Sequence, residues 1–113
     1  MARILLLMLL LGACSKGPET DLQYIGDARS LAAEWALVNE QAEAGKLNAT
    51  YVDSMHDWIG QQLQTDISSL TQPEAPYAAE IKELSRLPAG TSAQQLRSHA
   101  GKLKQVEESL ESA

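Results

Sequence analysis

Apolar residues return at alternating steps of four and three along most of this chain, and no sheet can be built on that spacing. Tyr24, Ala28, Leu31, Trp35, Val38 and Ala42 follow it first, with Leu22 and Ile25 widening the stripe at its start. A period near 3.5 residues puts all of them on one side of a helix, whereas a half-buried strand alternates with a period of two. Val52, Met55, Ile59, Leu63, Ile67 and Leu70 repeat the pattern, flanked by Tyr51 and Trp58. Tyr77, Ile81, Leu84 and Leu87 make a shorter stripe, and Ala93, Leu96, Ala100, Leu103, Val106 and Leu110 a last long one. No strand pattern interrupts them.

Breakers stand where the stripes stop. Gly45 is placed to end the first helix in a left-handed conformation. Pro73-Glu74-Ala75-Pro76 separates the second stripe from the third, after Ser68, Ser69 and Thr71 have weakened the helix, and Pro88-Ala89-Gly90 closes the third. Thr20 with Gln23, Thr50 with Asp53 and Thr91 with Gln94 each offer an N-cap hydroxyl and a side chain three residues on that can reach back. Asp21 then falls in a first turn, where the helix dipole favours negative charge. Gly101 inside the last helix costs about 1 kcal/mol relative to alanine. Glu107, Glu108 and Glu111 crowd its C-terminus, so its last turn is expected to fray. The expected fold is all-α: a small antiparallel bundle of three long helices and one short helix over residues 20–113.

Cys14 is the only cysteine, so no intramolecular disulfide is available and packing alone must hold the fold. The chain has 15 acidic against 9 basic residues, a formal charge of −6. Such a surface repels phosphates, which argues against nucleic acid and against electrostatic attachment to anionic lipid.

The first residues follow a different rule. Arg3 precedes a continuous apolar block at residues 4–11. Spanning a bilayer takes roughly 18 or more apolar residues, and this block is far shorter. With no polar face it does not suit an amphipathic core helix either. A basic start, a short hydrophobic core and small residues before a cut site mark a secretory signal. The block closes on Leu11-Gly12-Ala13-Cys14, which resembles the lipobox of bacterial lipoprotein precursors. That resemblance implies a diacylglyceryl thioether on the Cys14 sulfur, cleavage between Ala13 and Cys14 by signal peptidase II, and acylation of the new amine. Residues 1–13 would leave as signal peptide, taking Arg3 with them and making the product one unit more acidic.

One acyl chain holds a protein only marginally at about 0.8 kcal/mol per buried methylene, and two or three hold it firmly. Ser15 stands where aspartate retains lipoproteins in the inner membrane of enterobacteria, so the resemblance favours the periplasmic side of the outer membrane, with the inner membrane as the alternative. Residues 14–19 read as a polar tether, and Gly17-Pro18 argues against helix there. At about 3.3–3.6 Å per residue it keeps the domain close to the lipid.

Few residues invite a chemical role. Asp53, His56 and Asp57 have a spacing at which helix neighbours could share a metal. They lie opposite Met55 and Ile59, however, and read as a solvated face, with no metal expected. His99 reads as a surface histidine. Neighbouring Ser98 points about 100 degrees away from it on a helix, and a catalytic role would need a partner from elsewhere, Glu80 or Asp66. Trp35 and Trp58 read as core residues. If Trp58 were exposed with Tyr51, the two would form an aromatic surface for another protein. No phosphate loop, zinc-type motif, paired-cysteine site or nucleophile elbow is present.

The expectation is therefore a non-enzymatic envelope lipoprotein whose acidic helical module binds an envelope protein, with no cofactor beyond the lipid on Cys14. The alternatives are a periplasmic small-ligand or inhibitor-binding module, with a pocket lined by Trp35, Trp58 and Met55, and least of all a small hydrolase using His56 or His99.

Overall fold

A computed structural model describes residues 18–112. They form four helices, α1 (Pro18–Glu43), α2 (Ala49–Ser69), α3 (Pro76–Ser85) and α4 (Ala93–Glu111), with no strand among the described residues. The chain is thus the small all-α bundle expected of its apolar stripes. No described helix is long and apolar enough to cross a membrane. The expected signal peptide, lipobox-like stretch and cleavage position lie outside the described residues.

Cross-helix pairs fix the directions. Asn39 meets His56, and Asp27 meets Asp66, so α2 runs antiparallel to α1. Arg29 meets Glu107, and the Arg97 guanidinium donates to both carboxylate oxygens of Glu40 at 2.9 and 3.2 Å, so α4 is antiparallel to α1 as well. Helix α3 runs with α1, because Tyr77 at its start meets Asp21 and the loop after it meets Trp35. Helices α1 and α3 each touch all the others, whereas α2 and α4 do not meet.

That arrangement explains the burial pattern. Helix α1 has neighbours on three sides and buries Ile25, Ala28, Leu31, Ala32, Trp35, Ala36 and Val38, a face wider than one stripe. Helix α3 is a wedge, burying Tyr77, Ala78, Ile81 and Leu84 within 10 residues. Helix α4 buries Leu96, His99 and Leu103. Across its 21 residues α2 buries only Ile59, Leu63 and Asp66. A fully buried leucine or isoleucine contributes roughly 1.5–3 kcal/mol, so α2 brings the least per residue.

The caps differ from those expected. Helix α1 already includes Pro18 and Glu19, which therefore do not belong to the tether. A proline suits the first turn because its missing N–H would be unpaired there anyway. Thr20 lies inside the helix, and the Gln23 amide reaches its carbonyl at 3.5 Å without closing a capping box. Asn48, not Thr50, caps α2, accepting the Tyr51 N–H at 2.8 Å. Ser92, not Thr91, caps α4, accepting the Gln95 N–H at 3.2 Å. Asparagine and serine both outrank threonine at this position. Helix α4 continues through Glu111, and Glu107 is neutralised by Arg29. Gly45 ends α1 as expected, with φ 73°. Its N–H bonds Ala42 and that of Lys46 bonds Gln41, each at 3.0 Å, the paired closure of a Schellman motif.

Two glycine substitutions test this description in opposite directions. At Gly101 an added Cβ meets nothing within 4 Å, so Gly101→Ala should stabilise by about 1 kcal/mol. Gly45→Ala should cost about 1 kcal/mol, because alanine resists the left-handed region. Urea unfolding measures both, and equal effects of the same sign would contradict the assignment of helix interior and helix end.

Candidate functional site

Several places among the described residues gather polar or aromatic side chains. The first centres on Asn39, which is 8% exposed on α1. Its amide nitrogen donates to the carbonyls of Ala89 (2.9 Å) and Thr91 (2.7 Å), and the Trp35 indole N–H also donates to Ala89 at 2.9 Å. The remaining Asn39 Oδ1 lies 2.7 Å from His56 Nε2. An amide oxygen can only accept, so His56 Nε2 carries a proton and donates it. The His56 ring also lies against Trp35, with centroids 6.4 Å apart. His56 is therefore part of the α1–α2 interface and not of a solvated face, while Asp53 and Asp57 are exposed. The expected solvated trio is split because α2 packs against both α1 and α3, and that wider face reaches round to position 56. Among the described residues no group of three or more possible metal ligands occurs.

Beside this network is a cavity of about 170 Å³ lined by residues including Trp35, His56, Asp57, Ile59, Leu63 and Leu87. Pockets for small molecules usually measure about 300–1,000 Å³. Met55 and Trp58 do not line it. The pocket expected of a ligand-binding module, with both tryptophans and Met55 in its wall, is not seen among the described residues, where the cavity at Trp35 has neither Trp58 nor Met55 in its lining.

The second place joins α3 to α4. His99 is not a surface histidine: it is 5% exposed, and its Nδ1 lies 2.7 Å from Glu80 Oε1. Glu80 comes from the wedge helix, whose insertion against α4 the sequence does not announce. A carboxylate beside an imidazole orients it as in the base half of a nucleophilic site. The nucleophile half is missing from the described geometry, for Ser98 is exposed and no serine hydroxyl bonds either histidine.

Comparison of the chain with protein-family models, curated proteins and solved structures finds no match.

Asp21, expected only as a partner for the helix dipole, is fully buried. Its carboxylate accepts the Thr71 N–H (2.8 Å) and hydroxyl (2.9 Å), the Gln72 N–H (3.2 Å) and the Tyr77 hydroxyl (2.5 Å). Burial pushes the carboxyl upward, but the bonds from Tyr77, Thr71 and Gln72 together outweigh it and hold it below its ordinary value. Burial and the bond to Asp21 push the Tyr77 hydroxyl up in turn. The depressed carboxyl stabilises the fold above the ordinary aspartate range, and that contribution is lost as pH falls through its folded value. Asp21 and Asn39 are structural knots that sequence reasoning missed. Their signal was present, since Asp21, Ile25, Ala28, Ala32, Trp35 and Asn39 keep the four-and-three step with polar residues at both ends.

The third place is a surface. Trp58, expected in the core, is 44% exposed, Tyr51 47% and Leu37 51%. Tyr51 and Trp58 are seven residues apart and share a side of α2. Leu37 and Trp58 each stand two residues from the Asn39–His56 pair, and in antiparallel helices those steps lead to the same height. Both also lie away from α3, because each is two residues, about 200 degrees, from a residue at the cavity against α3, Trp35 or Gly60. Trp58 is open because α4 never reaches α2 to cover that flank.

Fluorescence quenching separates the two indoles. Acrylamide should quench Trp58 strongly and Trp35 weakly, and Trp58→Phe should remove the accessible emission. Equal quenching of Trp35 in that variant would contradict its burial.

Proposed function

We propose that this chain is a lipid-anchored protein of the bacterial cell envelope whose acidic helical domain acts without catalysis, by binding another envelope protein through the face that carries Leu37, Tyr51 and Trp58. One observation carries the binding half of this reading: among the described residues the three large apolar side chains left open lie on the sides of α1 and α2 turned from α3. Tryptophan and tyrosine concentrate where one protein anchors on another, since each offers a large rigid area together with a polar edge. The acidic excess favours a partner with basic groups around its contact.

The anchoring half rests on the likeness of Leu11-Gly12-Ala13-Cys14 to a lipobox. Helix α1 begins at Pro18, four residues after Cys14, so a lipid on that cysteine holds the domain within about 14 Å of the bilayer surface. Leu37 lies 19 residues along the same helix from Pro18, about 28 Å away. The docking face thus stands toward the far end of α1 from the tether. Serine at position 15 favours the outer membrane.

A ligand-binding role at Trp35 has less support, because the space beside that side chain is small. A hydrolase reading has less again, because His99 and Glu80 lack a nucleophile.

Cys14→Ser should abolish lipid labelling and move the protein to the soluble fraction, and unchanged fractionation would sink the anchoring half. For the binding half, crosslinking in the native membrane should capture a partner, with capture falling at least tenfold in a Tyr51→Ala, Trp58→Ala double variant. Both side chains are half open, so this variant should melt close to the parent. Undiminished capture would rule out this face.

A further inference from the structure

The buried acid of α2 has no ordinary explanation. Asp66 is 5% exposed, and its Oδ2 is enclosed without a hydrogen-bond partner. The carboxyl of Asp27, exposed on the facing helix, lies near enough to act on it both as a hydrogen-bond partner and as a charge. An ionised carboxylate has acceptors only, so two carboxyl groups share a hydrogen bond only when one of them keeps a proton. A cation could replace that proton, but none is placed to do so among the described residues.

From α1 the groups on this side are Asp27 and, one turn earlier, Tyr24. Arg29 is turned to α4, where Glu107 engages it. Asp21, nearer the start of α1, is occupied by Thr71, Gln72 and Tyr77. From α3, Lys82 and Arg86 approach α2 beside Gln64 and Ile67, and the Lys82 ammonium donates to the Pro73 carbonyl at 3.3 Å. Helix α4 does not touch α2.

We propose that Asp27 and Asp66 form a proton-operated clasp between α1 and α2, closed while the pair shares one proton and strained open when it holds none. With the proton the carboxyls bridge the seam. Without it two anions face each other, one of them buried, and the loss falls on α2, the helix with the fewest buried side chains for its length.

The sign of the pH dependence follows. Burial first, then the bond to Asp27 and its charge, push the Asp66 carboxyl up to about 8. The folded chain then holds a proton that the unfolded chain has already released. The clasp's contribution is full below the ordinary aspartate value, is lost as pH rises toward 8, and stays lost above it. Asp21 has the opposite sign, losing its contribution only as pH falls below the ordinary aspartate value.

Chemical unfolding from pH 5 to pH 9 at fixed ionic strength tests the clasp. Over pH 5–8 the unfolding constant of the parent should rise about tenfold per pH unit more steeply than that of Asp66→Asn, one proton's worth of linkage. Asparagine keeps the shape and the hydrogen bond but cannot ionise, and the variant retains both histidines, so the difference isolates Asp66. Parallel profiles would overturn the proposal. Carbon-13 titration of the Asp66 carboxyl in the parent gives the answer even if the variant fails to fold. A midpoint near 8 supports the clasp, and one in the ordinary aspartate range overturns it.

Discussion

The fold depends on α1 being covered from three sides. Three of its alanines, Ala28, Ala32 and Ala36, are fully enclosed and let neighbouring helices come close, while Ile25, Leu31 and Trp35 fill the space between them. Helices α2 and α4 flank α1 without meeting, and the short α3 closes the cleft that would otherwise open between them. The core is therefore one body shared by four helices, and none of them could bury its apolar face alone.

Two polar knots at opposite ends of α1 hold the wedge in place. Asp21 gathers the loop before α3 and the first turn of that helix through Thr71, Gln72 and Tyr77. Asn39 gathers the loop after α3 through Ala89 and Thr91, and binds α2 through His56. A buried polar group that is fully paired specifies its neighbours, because any other arrangement leaves it unpaired at a cost of about 1–3 kcal/mol. Asp21 and Asn39 meet that condition and fix where α3 sits. Asp66 does not meet it, and this is where the bundle is sensitive to protons.

What the sequence made legible follows from the same physics. The four stripes and the breakers between them announce helices, since spacing is local and a helix needs only its own residues to declare itself. The left-handed turn at Gly45 was readable for the same reason. The caps at Asn48 and Ser92 were missed by one or two residues because several suitable side chains stand together. A periodic reading sends polar residues outward, so it places His56 and His99 in water and gives Asp66 no position. His99 and Asp66 are buried and His56 half-buried, each engaged by a partner from another helix, Glu80, Asp27 and Asn39 in turn, and no local pattern reports such pairs. Trp58 erred the other way: its place beside the stripe suggested burial, but the flank it occupies has no neighbour to cover it. The candidate docking face was therefore legible as residues, in Tyr51 and Trp58, but not as a surface.

These features converge on α2. It buries least for its length, carries the incompletely paired acid of the seam and presents the exposed aromatics, whereas α1 and α3 are locked at both ends. Regions that open at low free energy are those with few buried apolar contacts. Native-state amide hydrogen exchange tests this division directly. The account predicts that amides of α1 from Ile25 to Val38 exchange only through global unfolding, while those of α2 exchange through a smaller, earlier opening. Protection in α2 equal to that of α1 would contradict it.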